Sequence, residues 1–136
     1  MINSNNVYIF LQQINDDFRP SLSTKVDLVE YVNKIASKAE LIIESSGDGL
    51  VKGLVVLYCN NKCDNVAYIS LVGVLRMYRG EGIAKKLVLQ AILKAKQSGM
   101  KCIQVHSNNP VAIRMYQGLG FQIVSGDDRK LLEYYI

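Results

Sequence analysis

Only three cysteines, one histidine and no long apolar run occur in this 136-residue chain. Cys59, Cys63 and Cys102 form an odd set without a CxxC pair. That argues against a disulfide framework and for reduced, partly buried thiols. No apolar stretch approaches the ~20 residues that a membrane span needs. Residues 1–6 lack the basic and then apolar layout of a signal peptide, so the cytoplasm is the expected location. No Cys/His/carboxylate set for nucleophilic catalysis is legible, and no bound metal is expected. Repeats, low-complexity tracts and linkers are absent too. With 49% hydrophobic residues, the chain fits a single domain over 1–136 with a real core.

The formal charge is +4. That balance admits an anionic ligand without requiring nucleic acid. Lys85, Lys86, Lys94, Lys96 and Lys101 spread along and just beyond one helical pattern, with no aromatic stacking residues between them. They read as a solvated face, and neither a nucleic-acid nor a membrane partner is expected.

Taken in order, Val7–Ile14 is compatible with a short helix. Asp16–Leu22 reads as a loop, because Pro20 disfavours helix in the residue before it. Ser23 or Thr24 is expected to cap a helix that carries Val26, Val29, Tyr31, Val32, Ile35 and Ala36 near one side. Leu41–Glu44 reads as a strand. Leu50–Cys59 reads as a second, interrupted at Gly53, and Val66–Val74 as a third, across a turn-rich Asn60–Asn65. Ile83, Ala84, Leu87, Val88, Ala91, Ile92 and Ala95 recur at helical spacing until Ser98-Gly99. Lys101–His106 is a short strand, and the strand–helix–strand unit implies a parallel, right-handed crossover. Asn109 as cap and Pro110 at the first helical position open another helix, which runs through Tyr116 to a stop at Gly120. Val111, Ala112, Met115 and Leu119 read as its core residues. Phe121–Ser125 and Leu131–Ile136 are expected as closing strands. The whole is an α/β domain with a mixed sheet.

The stretch from Val72 to Lys85 joins an apolar strand to that long helix through a loop holding Gly80 and Gly82. The first turn of a helix has backbone N–H groups without intrahelical partners and the positive end of its dipole. Glycines let an anion approach those amides, which makes a phosphate cradle; an ordinary strand-to-helix turn is the plainer reading.

Two motifs coincide. Arg79-Gly80-Glu81-Gly82-Ile83-Ala84 resembles the (Gln/Arg)-x-x-Gly-x-(Gly/Ala) loop of the GNAT superfamily of acyl-CoA-dependent N-acyltransferases. Asn109-Pro110-Val111-Ala112-Ile113-Arg114-Met115-Tyr116-Gln117-Gly118-Leu119-Gly120-Phe121 resembles that family's Asn-x-x-Ala-x-x-x-Tyr-x-x-x-Gly-Phe helix. The likeness spans about Leu41 to Phe121. It implies a mixed, mostly antiparallel central sheet with helices on both faces, a fold called α+β by some schemes. It also implies acetyl-CoA as co-substrate. Backbone amides of Gly80, Glu81, Gly82, Ile83, Ala84 and Lys85, with Arg79 in the same loop, would hold the pyrophosphate. The edge of Val72-Gly73-Val74, splayed from the strand around Ile103, would hold the pantetheine arm. Asn109 would contact the pantetheine or thioester end, and Tyr116 would protonate the departing thiolate. Asn109 and Tyr116 lie about two turns apart, so both can face one cleft, and a phenol stays protonated at neutral pH. A core tyrosine with a satisfied hydroxyl is the plainer account of Tyr116, and a pure cap that of Asn109.

The likeness leaves three departures. Ser70 and Gln104 stand where many members have glutamate bases. His106 is a candidate base and Glu44 a further one, beside deprotonation through ordered water or binding of an already neutral amine. The family's first strand is missing or reduced to Ile2 and its neighbours, which leaves the acceptor open among amino sugar, polyamine, small metabolite and protein N-terminus. The expected activity is acetyl transfer to a primary amine. The competing readings are a non-catalytic acyl-CoA-binding or regulatory module and a Rossmann-type dinucleotide binder, in which Lys85 would occupy the third glycine position. Homodimers are frequent in the family.

Overall fold

The computed structural model describes residues 4–18 and 21–136. Helix α1 covers Ser4–Ile14 and buries Val7, Phe10, Leu11 and Ile14, the i, i+3, i+4, i+7 stripe of one helix face. A single 3₁₀ turn at Asn15–Asp17 and a one-turn helix α2, Leu22–Lys25, follow. Ser23 and Thr24 therefore lie inside α2 and cap nothing. Helix α3, Leu28–Lys38, is capped by Asp27, whose carboxylate accepts from the Glu30 N–H. Its buried side chains are Val32 and Ile35, whereas Val29 is 54% exposed and Val26 precedes the helix. Met1, Ile2 and Asn3 lie outside the described residues, as do Arg19 and Pro20. Among the described residues no strand precedes α1, and no helix is long and apolar enough to cross a membrane.

Six strands form one sheet: β1 Glu40–Ser45, β2 Val51–Tyr58, β3 Val66–Val74, β4 Cys102–Ser107, β5 Gln122–Ser125 and β6 Lys130–Tyr135, in the order β1-β2-β3-β4-β6-β5. Only β3 and β4 are parallel, and the other pairs are antiparallel. Helix α4, Ile83–Gln97, makes the crossover between them, and α5, Pro110–Leu119, links β4 to β5. Strand β2 runs unbroken through Gly53, contrary to the interruption expected there. A Cβ at Gly53 would meet the Ile83 and Leu87 side chains at 2.9 and 3.0 Å, so the glycine lets α4 settle onto the sheet.

The sheet separates two cores, and alternation along each strand assigns its residues to one or the other. Val55, Leu57, Ala67, Ile69, Ile103, Val105 and Leu132 pack with Leu87, Val88, Ala91 and Ala95 of α4 and Tyr116 of α5. Leu54, Val56 and Leu71 pack with α1 and α3 on the opposite face. Within α5, Ala112, Met115 and Leu119 are half-buried against the first of these cores, whereas Val111, expected there too, is 67% exposed.

One irregularity shapes the middle of the sheet. Val56 opposes Leu71 and Leu57 opposes Ile69, so Ser70 is the extra residue of a bulge in β3. A bulge bends its strand and interrupts the ladder. Pairing of β3 with β4 runs from Val66↔Cys102 to Ile69↔Val105 and stops there. Beyond it, β3 stays with β2 as far as Val74, while β4 stays with β6 as far as Ser107. The sheet thus divides into two halves hinged on four residues, with the gap opening past Val105 and Ile103 still paired.

Candidate functional site

The gap between the halves runs into the loop that starts α4. Arg76–Tyr78 forms a 3₁₀ turn, and Gly80 and Gly82 then take φ of 85° and 81°, in the left-handed region. Gly82 is the N-cap of α4, with no side chain bonded to the helix end. The first amide of the helix to reach a backbone acceptor is that of Lys86, which donates to the Gly82 carbonyl at 3.0 Å. Among the described residues, the N–H groups of Gly80, Glu81, Gly82, Ile83, Ala84 and Lys85 have no protein acceptor. Six consecutive free donors at the positive end of a 15-residue helix give that end a field that favours negative charge. Backbone amides at a solvent-facing loop lose little by waiting for water or a ligand; a side-chain cap would have consumed some of them.

Arg79, expected to serve in the same cradle, is committed elsewhere. Its Nε donates to the Val74 carbonyl at 3.0 Å and its guanidinium pairs with Asp17, which also pairs with Arg76 at 3.2 Å. Arg79 thereby straps the loop to the end of β3 and to the turn after α1. Upstream of that strap, the Ser70–Val74 edge of β3 has no strand on its β4 side. The Leu75 N–H donates to the Lys52 carbonyl of β2, so alternation also turns the main-chain groups of Gly73, expected to line the pantetheine arm, toward β2. Val72 and the Val74 N–H are the groups left to an extended ligand, as an added strand would use them.

Helix α5 brings the second motif to the same gap. The Asn109 Oδ1 accepts from the Val111 N–H at 2.9 Å and the Ala112 N–H at 3.4 Å, with Pro110 in the first turn. Capping therefore uses the oxygen of Asn109 and leaves its amide NH₂ without a protein partner among the described residues. Seven residues on, Tyr116 is only 3% exposed, its ring tilted against Phe121 with centroids 5.3 Å apart. Its hydroxyl has no hydrogen bond to the described residues, and no buried polar side-chain atom among them lacks a partner. The two facts together mean that the hydroxyl keeps some exposure to solvent and is not satisfied by another protein group among the described residues. Burial pushes its pKa well above the ordinary phenol value, and the nearby Tyr68 pushes it further.

On the α1/α3 face, the sheet beyond β3 is uncovered: no residue of β4, β5 or β6 belongs to the core that α1 and α3 build. The alternation that buries Ile103 and Val105 on the other face turns Gln104 and His106 to this one. Tyr68, flanked by the inward Ala67 and Ile69, joins them, and its hydroxyl lies 2.7 Å from the His106 Nδ1. Burial lowers the His106 pKa below its ordinary value, and Arg129 lowers it further. The Gln104 amide donates to Glu133 at 2.7 Å. Glu133 is held below the usual carboxylate range, first by the Tyr135 hydroxyl and then by Gln104. From α3, Tyr31 approaches Ser70; burial raises its pKa and the Ser70 hydroxyl lowers it. Tyr58 sits opposite Tyr68 on β2.

Tyr58, Tyr68 and Glu133 are members of this face that reading along the chain did not single out, and Tyr31 was expected only as part of a helix's apolar side. Each lies on a different element, and only strand register brings Glu133 opposite Gln104. The run Lys130–Tyr135 carries no period-two alternation that would have marked Glu133, since its polar residues stand three apart. Glu44, the further candidate base, lies two strands away from the free edge of β3: it sits on the edge strand β1, in register with Gly53, and is paired with Lys86 at 2.8 Å. The thiols of Cys59 and Cys102 are raised in pKa by burial, Cys63 is exposed, and all three are free.

Comparison with known proteins adds an independent line. A model of the Acetyltransferase (GNAT) family matches residues 9–121. The chain is 35% identical over 71 residues to N-alpha-acetyltransferase 30 of Saccharomyces cerevisiae, an overlap of 51% of this chain and 38% of that one. The three curated relatives it matches are covered over only 21–38% of their own length. Its fold superposes on that of a ribosomal-protein-alanine N-acetyltransferase from Brucella melitensis with a TM-score of 0.78 at 17% identity, over 98% of this chain and 96% of the other. A GNAT family acetyltransferase from Elizabethkingia anophelis with acetyl-CoA bound gives 0.65 at 19% identity, over 79% and 82%. At these identities the two structures speak to the fold alone.

Proposed function

The chain belongs to the acetyltransferase (GNAT) family, and on that footing we propose that it moves an acetyl group from acetyl-CoA to a primary amine by direct transfer. The observation that carries this reading is the run of six unpartnered amides, Gly80–Lys85, continuous with an unpaired strand edge. A pyrophosphate on the amides and an extended, amide-bearing arm along Val72–Val74 would together satisfy both sets of groups. CoA has both parts, in that order. A dinucleotide would meet the first set and leave the second unused.

With the arm laid along β3, the thioester comes to the bulge at Ser70, where the two halves of the sheet part. The Asn109 amide NH₂ is available to the thioester end. A backbone N–H of the free edge beside the Ser70 bulge serves the carbonyl oxygen as negative charge gathers there. The incoming amine's lone pair forms the C–N bond to the acetyl carbon. The C–S bond then breaks with its electrons on sulfur, and the Tyr116 hydroxyl supplies that sulfur with a proton. Burial makes Tyr116 a weaker acid than a free phenol. A thiolate expelled into the same dry gap is likewise destabilised as an anion, so donor and acceptor are shifted together. Holding amine and thioester in one orientation supplies much of the remaining advantage.

The test is calorimetry with acetyl-CoA, followed by thiol release across a panel holding a free-N-terminal peptide, spermidine and glucosamine. Acetyl-CoA binding together with amine-dependent thiol release supports the reading. Binding without thiol release for any amine would leave only an acyl-CoA-binding module.

A further inference from the structure

Where a glutamate base is common in this family, the chain has Ser70 and Gln104, and the carboxylate nearest Gln104, Glu133, is stabilised in its ionised form by two donors. A well-solvated carboxylate with a lowered pKa is a poor proton acceptor. Another pair on the same uncovered face is better placed. Tyr68 and His106 are joined by a 2.7 Å hydrogen bond that is partly buried, with their rings tilted at 56° and centroids 5.7 Å apart. Tyr68 pairs in register with Gln104 two residues before the bulge, and His106 is the first residue of β4 beyond the pairing with β3. The two side chains therefore bracket the opening of the gap on the side away from α4 and α5. Tyr116, on α5, is near enough to Tyr68 for the two hydroxyls to interact electrostatically.

We propose that Tyr68 and His106 act as one proton-accepting pair, which takes the proton from the amine as it attacks the thioester. The proposal rests on the acetyl-transfer reading above. A phenol is a stronger acid than a neutral imidazole N–H, so Tyr68 donates to Nδ1 and the remaining ring proton sits on Nε2. As the C–N bond forms, a proton leaves the amine nitrogen for the Tyr68 Oη while the Tyr68 proton moves to Nδ1. The imidazole becomes imidazolium and Tyr68 is a phenol again. The thiolate released at the C–S bond takes its proton from Tyr116. Solvent then removes the proton from His106 and restores one to Tyr116, which closes the balance. The groups facing His106 are Tyr68 from β3, Glu133 from β6 and Arg129 from the β5–β6 turn, with Gln104 on its own strand. Burial and, after it, Arg129 disfavour the cation, which leaves the ring neutral at neutral pH.

His106 is the only histidine, so a histidine-selective ¹⁵N label reports on this one ring. The spectrum is expected to show Nδ1 unprotonated and Nε2 protonated at pH 7.5, with a mixture of tautomers appearing in Tyr68→Phe. Nδ1 carrying the proton in the wild type would overturn the stated direction of transfer. For turnover, Tyr68→Phe and His106→Gln are each expected to lose 10²–10³-fold at pH 7, with the acetyl-CoA KM within twofold of wild type. Their activity should climb with pH, as solvent deprotonates the amine in place of the pair, and the wild-type acid limb should vanish. The double variant should be no slower than the slower single one, because one relay has been broken in either case. Tyr68→Phe keeps the ring and its packing, so it reports even where His106→Gln folds poorly. Turnover within threefold of wild type in Tyr68→Phe, with the acid limb retained, would overturn the pair and leave acetyl transfer standing. Absence of thiol release in the wild type itself would overturn both.

Discussion

Replacing Tyr116 by phenylalanine removes one oxygen and leaves the ring. The ring is buried and rests on Phe121 at 5.3 Å between centroids, while the hydroxyl has no protein partner among the described residues. Deleting it breaks no hydrogen bond and opens no hydrophobic cavity, so stability should change by no more than about 0.5 kcal/mol. Affinity for acetyl-CoA should hold as well, because the amides of Gly80–Lys85 and the Val72–Val74 edge are untouched. The chemical step, by contrast, loses its proton donor. A positioned acid contributes roughly 10²–10⁴ in rate, or about 3–5 kcal/mol at 1.36 kcal/mol per decade. Three measurements on one sample separate these effects: thermal unfolding, calorimetric titration with acetyl-CoA, and kcat by thiol release. A loss of at least a hundredfold in kcat, with the other two unchanged, is the expected outcome. Turnover within threefold of wild type would refute the role. So would a fall in affinity that tracks the fall in rate, since the hydroxyl would then be a binding group. Tyr116→Ala would not serve, because the cavity alone costs on the order of 3–5 kcal/mol of stability.

At Gly82, φ is 81°, and alanine there costs roughly 1–2 kcal/mol of backbone strain. The amides it orders should lose acetyl-CoA affinity at least tenfold by calorimetry, and unchanged affinity would count against the cradle. Asn109→Ala removes the oxygen that accepts from the Val111 and Ala112 amides. Unfolding should be easier by about 1 kcal/mol, or about 3–6 °C in Tm for a domain of this size. Burial depresses the pKa of His106 in the folded state, so below an unfolded value of about 6.5 the unfolded chain binds more protons than the folded one. Stability attributable to this group is therefore complete above that pH and is lost as the pH falls. Denaturant titrations at pH 7.5 and 5.5 should show a smaller loss in His106→Gln than in wild type.

How much could be read along the chain follows from how local each signal is. The helix of Ile83–Gln97, the cap and first-turn proline at Asn109-Pro110, and the three strands before the glycine loop are set by periodicity and turn chemistry within a dozen residues. The start of α3 was misplaced because Ser23, Thr24 and Asp27 are all competent caps, and the packing of Val32 and Ile35 chose Asp27. Gly53 was misread because a glycine in a strand marks either a break or a close approach, and the Ile83 and Leu87 side chains that decide it arrive thirty residues later.

The same division runs through the site. Two contiguous motifs, Arg79–Ala84 and Asn109–Phe121, were enough to name a ligand class, because an anion cradle and a capped helix are each built from neighbouring residues. Asn109 and Tyr116 share a helix face for the same reason. What lay beyond the chain's own order was everything that depends on register. The bulge at Ser70 parts β3 from β4, and antiparallel pairing brings Glu133 to Gln104. A strap from Asp17 diverts Arg79 from the loop it belongs to. The Tyr68–His106 hydrogen bond joins residues 38 positions apart. Short-range backbone preferences are enough to set the elements and the run of free amides at the start of α4. Which polar side chains meet across the gap depends instead on strand register, which is settled by the burial of both faces of the sheet at once.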